Sequence, residues 1–385
     1  TFKIMKKHLL VLNNGSSSLK FAVFEVDKKI LGKSVLSGHF SIAGKKSILV
    51  YKSGNKTSTI NYQTGHNLKN WWHHLHDLLV NFDITYVGLR MVHGGEEFTD
   101  TVKVNNQFLN RIKKYNKLAP LHNPAALDLA DLVKKTWPKV KTSMSFDTAW
   151  YKDLGAEAYL YSLPISLYNK YKIRKYGFHG LSHEMATLYA AKMTNKKLNK
   201  LKVITCHLGA GSSITWYDSK VKDTTMGFSP NEGLTMATRS GDIPASVVFF
   251  LNQEVKMPLP KIKELLNKKS GLLGLAGMAD LREVLLAAGY RVSGYKSSLK
   301  FDKKQKDLAK VALQIFIYDI KRYLASYIAM TKKLDAIVFT GAIADNALIR
   351  KMILKDLVKP KKCRVLVAPT GETMNLANKT LKCLK

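Results

Sequence analysis

Acidic residues are scarce in this chain. Asp and Glu number 28 against 62 Lys and Arg in 385 residues, a formal net charge of +34. Cysteine is almost absent, with only Cys206, Cys363 and Cys383. An odd, sparse set excludes a disulfide framework, and a reducing cytoplasm is the expected compartment. No apolar run approaches the roughly 18 residues of a membrane-spanning helix, so no membrane partner is expected. No long low-complexity linker divides the chain. The basic residues also lack the companions that nucleic-acid binding requires. There is no zinc-finger spacing, no aromatic RNA-binding signature and no basic helix with heptads. Lysine pairs such as Lys134-Lys135, Lys196-Lys197, Lys303-Lys304 and Lys361-Lys362 are spread along the whole chain. No specific nucleic-acid partner is expected, although a diffuse positive field attracts phosphorylated metabolites in a salt-dependent way.

What is present is an ordinary globular mixture, 46% hydrophobic and 23% charged. At roughly 100–200 residues per domain the length predicts two domains. The stretch Met5 to Leu12 has a basic end and an apolar run too short for a signal peptide. It reads as a first strand, with Met5 as the expected native start. Leu19 to Val26 alternates after a Gly/Ser turn, which predicts a hairpin, and strand-like material continues to Tyr62. Trp71 to Val80 has helical spacing, and its His73 and His76 read as surface residues of an amphipathic helix, not as a metal cluster. Thr85 to Val92 and Lys141 to Phe146 read as strands, and Asn123-Pro124 opens a helix. The pattern then restarts. Leu201 to Cys206, a second Gly/Ser turn and Ile214 to Tyr217 form another strand pair. Asp307 to Met330 is a long helix with Leu308, Val311, Ala312, Ile315 and Tyr318 expected on one buried stripe. Asp335 to Thr340 is a strand running into Gly341 and a helix start. The two Gly/Ser turns open the two halves, a weak internal repeat that predicts two similar α/β domains facing a cleft.

Three turns offer phosphate-binding chemistry. Asn13 to Lys20 packs amides, hydroxyls and an ammonium, with Ser16, Ser18 and Lys20 as donors. It is not a P-loop, because the Gly-to-Gly-Lys spacing is missing. Asn13 can reach a metal or its water. Cys206 to Ser213 holds Gly209 and Gly211, which let a ligand approach the backbone, and His207, which can donate to a phosphate. Gly341, Ala342 and Asn346 stand at a helix start that favours anions, unless Asp345 or Asn346 simply caps that helix. Arg90 and Arg239, beside small residues, can clamp a carboxylate and a phosphoryl group. His122 and His179 sit in Pro/Gly-flanked turns, and Asp147 ends a strand, where open-sheet sites gather.

Taken together, these strings resemble the acetate kinase family, within the wider sugar kinase and actin fold group. The likeness runs from about Leu9 to Thr380. It is carried in order by Asn13–Lys20, Arg90–Glu96, Ala119–Pro124, Phe146–Ala149, Arg174–His183, Cys206–Ser213, Asp223–Gly227, Glu232–Asp242 and Leu266–Gly274. The resemblance implies an α/β fold of two ribonuclease H-like domains with a duplicated βββαβαβα core. The expected domains are residues 1–149 with 374–385, and 150–373. It implies reversible in-line phosphoryl transfer from ATP to acetate, giving acetyl phosphate and ADP, with Mg2+ or alternatively Mn2+. Arg90 and Arg239 then hold acetate and the migrating phosphoryl group. His179 stabilises its oxygens with His122 nearby, and Asp147 orients acetate or Arg90. Asn13 and Glu372 match the metal positions. Val92, Leu121, Phe178 and Pro230 match the acyl pocket, and Asp280 and Arg282 match the adenosine site. A homodimer is implied as well. Ala210, Ala237, Ala342 and Ala344 depart from the family pattern, all on the nucleotide side. The rival readings are a propionate or butyrate kinase, a donor other than ATP, and an inactive relative that binds nucleotide or acetyl phosphate.

Overall fold

The structure, a computed structural model, describes residues 6–15, 18–27, 30–43, 46–63, 68–120 and 122–385. Met5, Ser16 and Leu121 lie outside the described residues. The chain divides into two compact units, Thr1–Lys152 with Gly371–Lys385, and Asp153–Thr370.

The first unit contains β1 (Lys7–Asn14), β2 (Ser18–Asp27), β3 (Ile30–Ala43), β4 (Lys46–Ser53), β5 (Lys56–Tyr62), β6 (Asp83–Met91), β7 (Val102–Lys103) and β8 (Lys141–Phe146). They form one sheet in the order β5-β4-β3-β2-β1-β6-β8-β7. β1 to β5 pair antiparallel in sequence, whereas β6 joins β1 and β8 joins β6 in parallel. Leu9 to Leu12 of β1 are fully buried, as expected of a strand covered on both faces. Alternation sends Leu10 and Leu12 into a core with Trp71, Leu75 and Leu89. Leu9 and Val11 face the opposite side, against Leu376, Ala377 and Leu381 of the C-terminal helix Glu372–Leu384. The chain's last segment therefore returns to its first strand. In the helix Leu68–Leu79, Trp71, Trp72, Leu75 and Leu79 are buried while His73 and His76 are exposed, as the amphipathic reading expects.

The second unit holds β9 (Lys202–Leu208), β10 (Ser212–Asp218), β11 (Lys220–Thr224), β12 (Ala336–Thr340) and β13 (Arg364–Val367), ordered β11-β10-β9-β12-β13. Its first three strands are antiparallel, and β12 and β13 continue in parallel. The order and senses repeat those of β3-β2-β1-β6-β8. The fold is thus a duplicated ribonuclease H-like core, and the two Gly/Ser turns are its equivalent β1–β2 and β9–β10 connections.

The long helix spans Lys303–Met330 and starts earlier than expected, at a capping box of Asp302 and Gln305. Its buried stripe also differs from expectation. Ala309, Ala312, Leu313, Phe316, Ile320, Leu324 and Tyr327 face the core, while Leu308, Val311 and Tyr318 are exposed. Apolar residues lie on two sides of this helix, so spacing alone does not choose between them. The small Ala309 and Ala312 lie on the buried side, where they permit close approach to the layer beneath.

The C-terminal helix lies very close to β6. A Cβ added at Gly88 would stand 2.1 Å from Thr380 Oγ1, and that hydroxyl accepts from Ser143 Oγ at 2.9 Å. Gly88→Val is expected to lower stability by about 1–3 kcal/mol through overpacking, read as a fall in the urea midpoint at unchanged m-value.

Candidate active site

In the first unit, the C-terminal ends of the parallel strands β1, β6 and β8 bring Asn13, Arg90 and Asp147 together, as open α/β sheets do. Asp147 is held at the end of β8 by its own N–H, which donates to Met91 O at 3.1 Å. Arg90 grips Asp147 with two donors, Nε to Oδ1 at 3.1 Å and Nη2 to Oδ2. Its Nη1 donates to Asn13 Oδ1 at 3.2 Å and to Asn14 O at 3.3 Å. Four of its five N–H groups are thereby engaged, which fixes the guanidinium plane. Burial opposes the charge on Arg90, but Asp147 and, at longer range, Glu372 outweigh it and raise its pKa. Asn13 Nδ2 donates to Glu372 Oε2 at 3.1 Å. Glu372 opens the C-terminal helix, and a helix N-terminus favours its carboxylate.

Asn13 and Glu372 carry oxygen atoms of the kind a hard cation takes, Asn13 Oδ1 being shared with Arg90. Among the described residues no group of three or more His, Cys, Asp or Glu is arranged to hold a metal ion. Such a sparse set suits an ion that keeps several waters and takes phosphate oxygens, as Mg2+ does, and does not suit an all-protein cage. Beside it, Gly15 N–H donates to Ser18 O at 2.8 Å across the β1–β2 turn, and Lys20 is exposed on β2 opposite Asn13.

Val92 is buried at the end of β6, and His122 directly precedes the helix Asn123–Thr136. Sequence reasoning missed Asn123. Its fully buried amide accepts from His93 N at 3.1 Å and donates to His93 O at 2.9 Å, which locks the loop after Arg90. Thr148 Oγ1 accepts from Gly94 N at 3.1 Å in the same loop. The only signal in the sequence was the Asn beside Pro124 at a helix start.

In the second unit, His179 caps the helix Gly180–Thr194 with φ 59° and ψ 24°. A non-glycine residue in this left-handed region carries some backbone strain. Its Nδ1 is 2.8 Å from Ser213 Oγ on β10. The His207 ring lies 4.3 Å away between centroids, tilted by 32°, and its Nδ1 is 2.8 Å from Ser182 Oγ. Gly211 completes the group. A Cβ there would stand 3.2 Å from His179 Cε1 and Nε2 and 3.4 Å from Arg239 Nη1. The missing side chain is what lets the imidazole and the guanidinium meet over one turn.

Arg239 Nη1 donates to Pro230 O at 3.1 Å. The Pro230 loop is folded around Glu232, which accepts from Phe228 N at 3.1 Å, Ser229 N at 3.0 Å and Tyr161 Oη. The long helix supports the Arg239 loop from below. Asp319 accepts from Thr235 N, and Tyr323 donates to Asp242, which in turn accepts from Gly233 N at 2.7 Å. Phe178 is buried and Pro230 half-buried. Ser213, His183 and Glu232 were also missed as individual positions. For His183, the spacing of four from His179 at a helix start was the available signal.

The remaining turns pack onto this group. Gly209 N donates to Gly211 O at 3.1 Å, Ala237 N to Ala210 O at 3.2 Å and Ile343 N to Leu208 O at 2.9 Å. Gly341, at φ 91°, leaves no room for a Cβ, which would lie 2.5 Å from Leu208 O. Among the described residues the non-glycine positive φ angles fall at Lys172, His179, Asn195, Ser219, Lys256 and Asp356. None of Ala210, Ala237, Ala342 and Ala344 therefore needs a left-handed backbone. Asn346 is a helix cap, its Oδ1 accepting from Leu348 N and Ile349 N, so the capping alternative holds for that oxygen. Asp280 caps the helix Leu281–Ala287 and is forked by Arg282, whose guanidinium lies 4.2 Å from the Tyr295 ring centroid.

Comparison with known proteins bears out the family resemblance. Residues 8–359 match the model of the acetokinase family. The acetate kinase of Acetivibrio thermocellus is 37% identical over 98% of this chain and 99% of its own length. That of Carboxydothermus hydrogenoformans is 34% identical over 97% and 98%. A crystal structure of a propionate kinase from Francisella tularensis superposes with TM-score 0.86 at 35% identity, covering 98% of this chain and 99% of its own. Acetate kinase from Porphyromonas gingivalis gives 0.83 at 30% identity, covering 98% and 100%.

His93 couples this site to acid stability. It is fully buried, its Nδ1 accepts from Gly95 N at 2.9 Å, and burial pushes its pKa down to about 3. His183, also fully buried, is shifted downward by burial and by His207. Below pH 6.5 the unfolded chain binds protons that these folded imidazoles refuse, so stability falls with pH through the window from 6.5 toward 3. The urea midpoint is expected to drop between about pH 7 and pH 4.5, and His93→Gln is expected to show a shallower drop.

Proposed function

We infer that the chain, which belongs to the acetokinase family, is an acetate kinase: it transfers a phosphoryl group reversibly from ATP to acetate, giving acetyl phosphate and ADP. It is a phosphotransferase with a carboxyl acceptor. The observation that carries the reading is the Arg90–Asp147–Asn13–Glu372 set, a charged, pre-oriented group where a carboxylate and a metal–phosphate are needed.

The acetate oxygen attacks the γ-phosphorus in line as the bond to the β–γ bridging oxygen of ATP breaks, and that oxygen leaves with ADP. Such transfer needs positioning and charge neutralisation more than covalent help. Arg90 faces the acetate carboxylate with its orientation fixed by Asp147. The family resemblance assigns the methyl group to Val92, Leu121, Phe178 and Pro230. His179 and Arg239, gathered over Gly211, direct N–H donors at the oxygens of the migrating group, with His122 assisting. The turns carrying Ser16, Ser18, Lys20, His207, Gly209, Gly211, Gly341, Ala342 and Asn346 take the nucleotide, and Asp280 and Arg282 flank its adenosine. Asn13 and Glu372 would hold Mg2+, with Mn2+ as a substitute, and the ion would supply charge neutralisation to the phosphates.

The acyl pocket also admits propionate, because one methylene is worth only about 1–3 kcal/mol, and a propionate kinase stands among the structural neighbours. A homodimer in the cytoplasm completes the proposal. Exposed Phe249 and Phe250, at 59% and 60%, support self-association, and three free thiols suit a reducing compartment.

Acetyl phosphate formation from Mg-ATP and acetate, trapped as the hydroxamate, is expected for the parent protein. Arg239→Ala is expected to lose about 100-fold or more in kcat, as when one transition-state donor is removed. Absence of turnover in both directions from folded, dimeric protein would overturn the reading and favour an inactive binding relative.

A further inference from the structure

His179 does not stand alone behind the turn it faces. Its Nδ1 is 2.8 Å from Ser213 Oγ, which is 2.8 Å from His183 Nε2. His183 Nδ1 is in turn 2.7 Å from Thr205 Oγ1. Ser213, His183 and Thr205 are all fully buried. The kinase reading uses only the outer member. We propose that Ser213 and His183 are positioning residues for His179, forming with Thr205 a chain that holds the ring and keeps its proton on Nε2. The inference rests on the kinase reading for what His179 does, but not for where its proton lies.

The direction of the chain follows from counting hydrogens. Burial, and then the neighbouring His207, hold the His183 imidazole well below its ordinary pKa, so it is neutral and offers one N–H and one lone pair. With all three contacts kept, the chain has three polarities; in one of them Ser213 accepts from both rings and its own hydrogen is left without an acceptor among the described residues, which leaves two. In the first, Thr205 O–H donates to His183 Nδ1, His183 Nε2–H donates to Ser213, and Ser213 O–H donates to His179 Nδ1. Every hydrogen sits in a bond of 2.7–2.8 Å. In the second, all three bonds reverse, and the Thr205 hydrogen is left with Thr215 O at 3.4 Å. That contact is weak, so the first polarity prevails. His179 then carries its proton on Nε2, the atom lying over Gly211 beside Arg239. The ring meets the phosphoryl oxygens with an N–H already in place, so no tautomer change is needed during transfer.

The test is nitrogen-15 NMR of histidine side chains in the full-length protein, with His179 assigned through a His179→Gln variant. The parent is expected to show neutral His179 protonated at Nε2 and accepting at Nδ1. Ser213→Ala is expected to lose that single-tautomer signature and to lower kcat by about 10- to 100-fold, with both KM values within about threefold. Ser213→Thr, which keeps the hydroxyl, should restore most of the turnover. A parent spectrum with His179 protonated at Nδ1, or parental kcat in Ser213→Ala, would overturn the inference. If the parent makes no acetyl phosphate, the kinase reading falls while the spectrum still decides the proton's position. If Ser213→Ala fails to fold, the parent spectrum decides it alone.

Discussion

The first unit depends on one charge. Arg90 lies on a strand covered on both faces, with its side chain only 15% exposed, where an unpaired guanidinium would cost several kcal/mol. Asp147 makes that burial tolerable. The two residues belong to adjacent parallel strands, so the ladder that pairs β6 with β8 is also what sets their separation. Asn13 reaches the same guanidinium from β1, and Glu372 reaches Asn13 from the last helix. Moving β6 or β8 breaks the buried ion pair, and moving β1 or that helix breaks a hydrogen bond to Asn13. The network binds the first and last segments of the chain into one unit and fixes a buried, charged guanidinium in one orientation.

The second unit solves a related problem with small residues. Donors can converge on one point only where the residues between them are small, because side chains of ordinary size would keep them apart. Gly211 removes the obstacle between His179 and Arg239, and Gly341 lets the third turn press onto Leu208. Behind His179, the buried Ser213 hydroxyl stands 2.8 Å from its Nδ1, and Arg239 is tied to Pro230 O. The left-handed His179 is held in its strained conformation by this packing and by the helix it caps.

Much of this was legible in the sequence, for physical reasons. Short apolar runs stopped by Asn, Gly and Ser marked β1, β9 and β12 because buried parallel strands must be apolar and must end at polar turns. The duplicated plan showed in two such turns. The arginines, histidines and Asp147 stood out at strand ends and Gly-flanked turns. Other features were not legible. The buried stripe of Lys303–Met330 could not be assigned, since that helix is apolar on two sides and only the tertiary packing selects one. Asn123, Ser213 and Glu232 act by bonding to backbone or to another side chain, and nothing in their neighbours in the sequence announces it. Asn13 and Glu372 meet across nearly the whole chain, a pairing that only the return of the last helix creates. Asn346 illustrates the reverse case, a motif residue whose oxygen is taken by a helix cap.

The central claim is that Asp147 holds Arg90 charged and oriented for the acyl group, and steady-state kinetics of Asp147→Asn address it directly. The substitution keeps the shape but turns a carboxylate that accepts two N–H groups into an amide that can accept from only one side. The account predicts a fall in kcat/KM for acetate of about 100-fold or more, with KM for ATP within about threefold of the parent. An Asp147→Asn enzyme that uses acetate within about threefold of parental efficiency would contradict it.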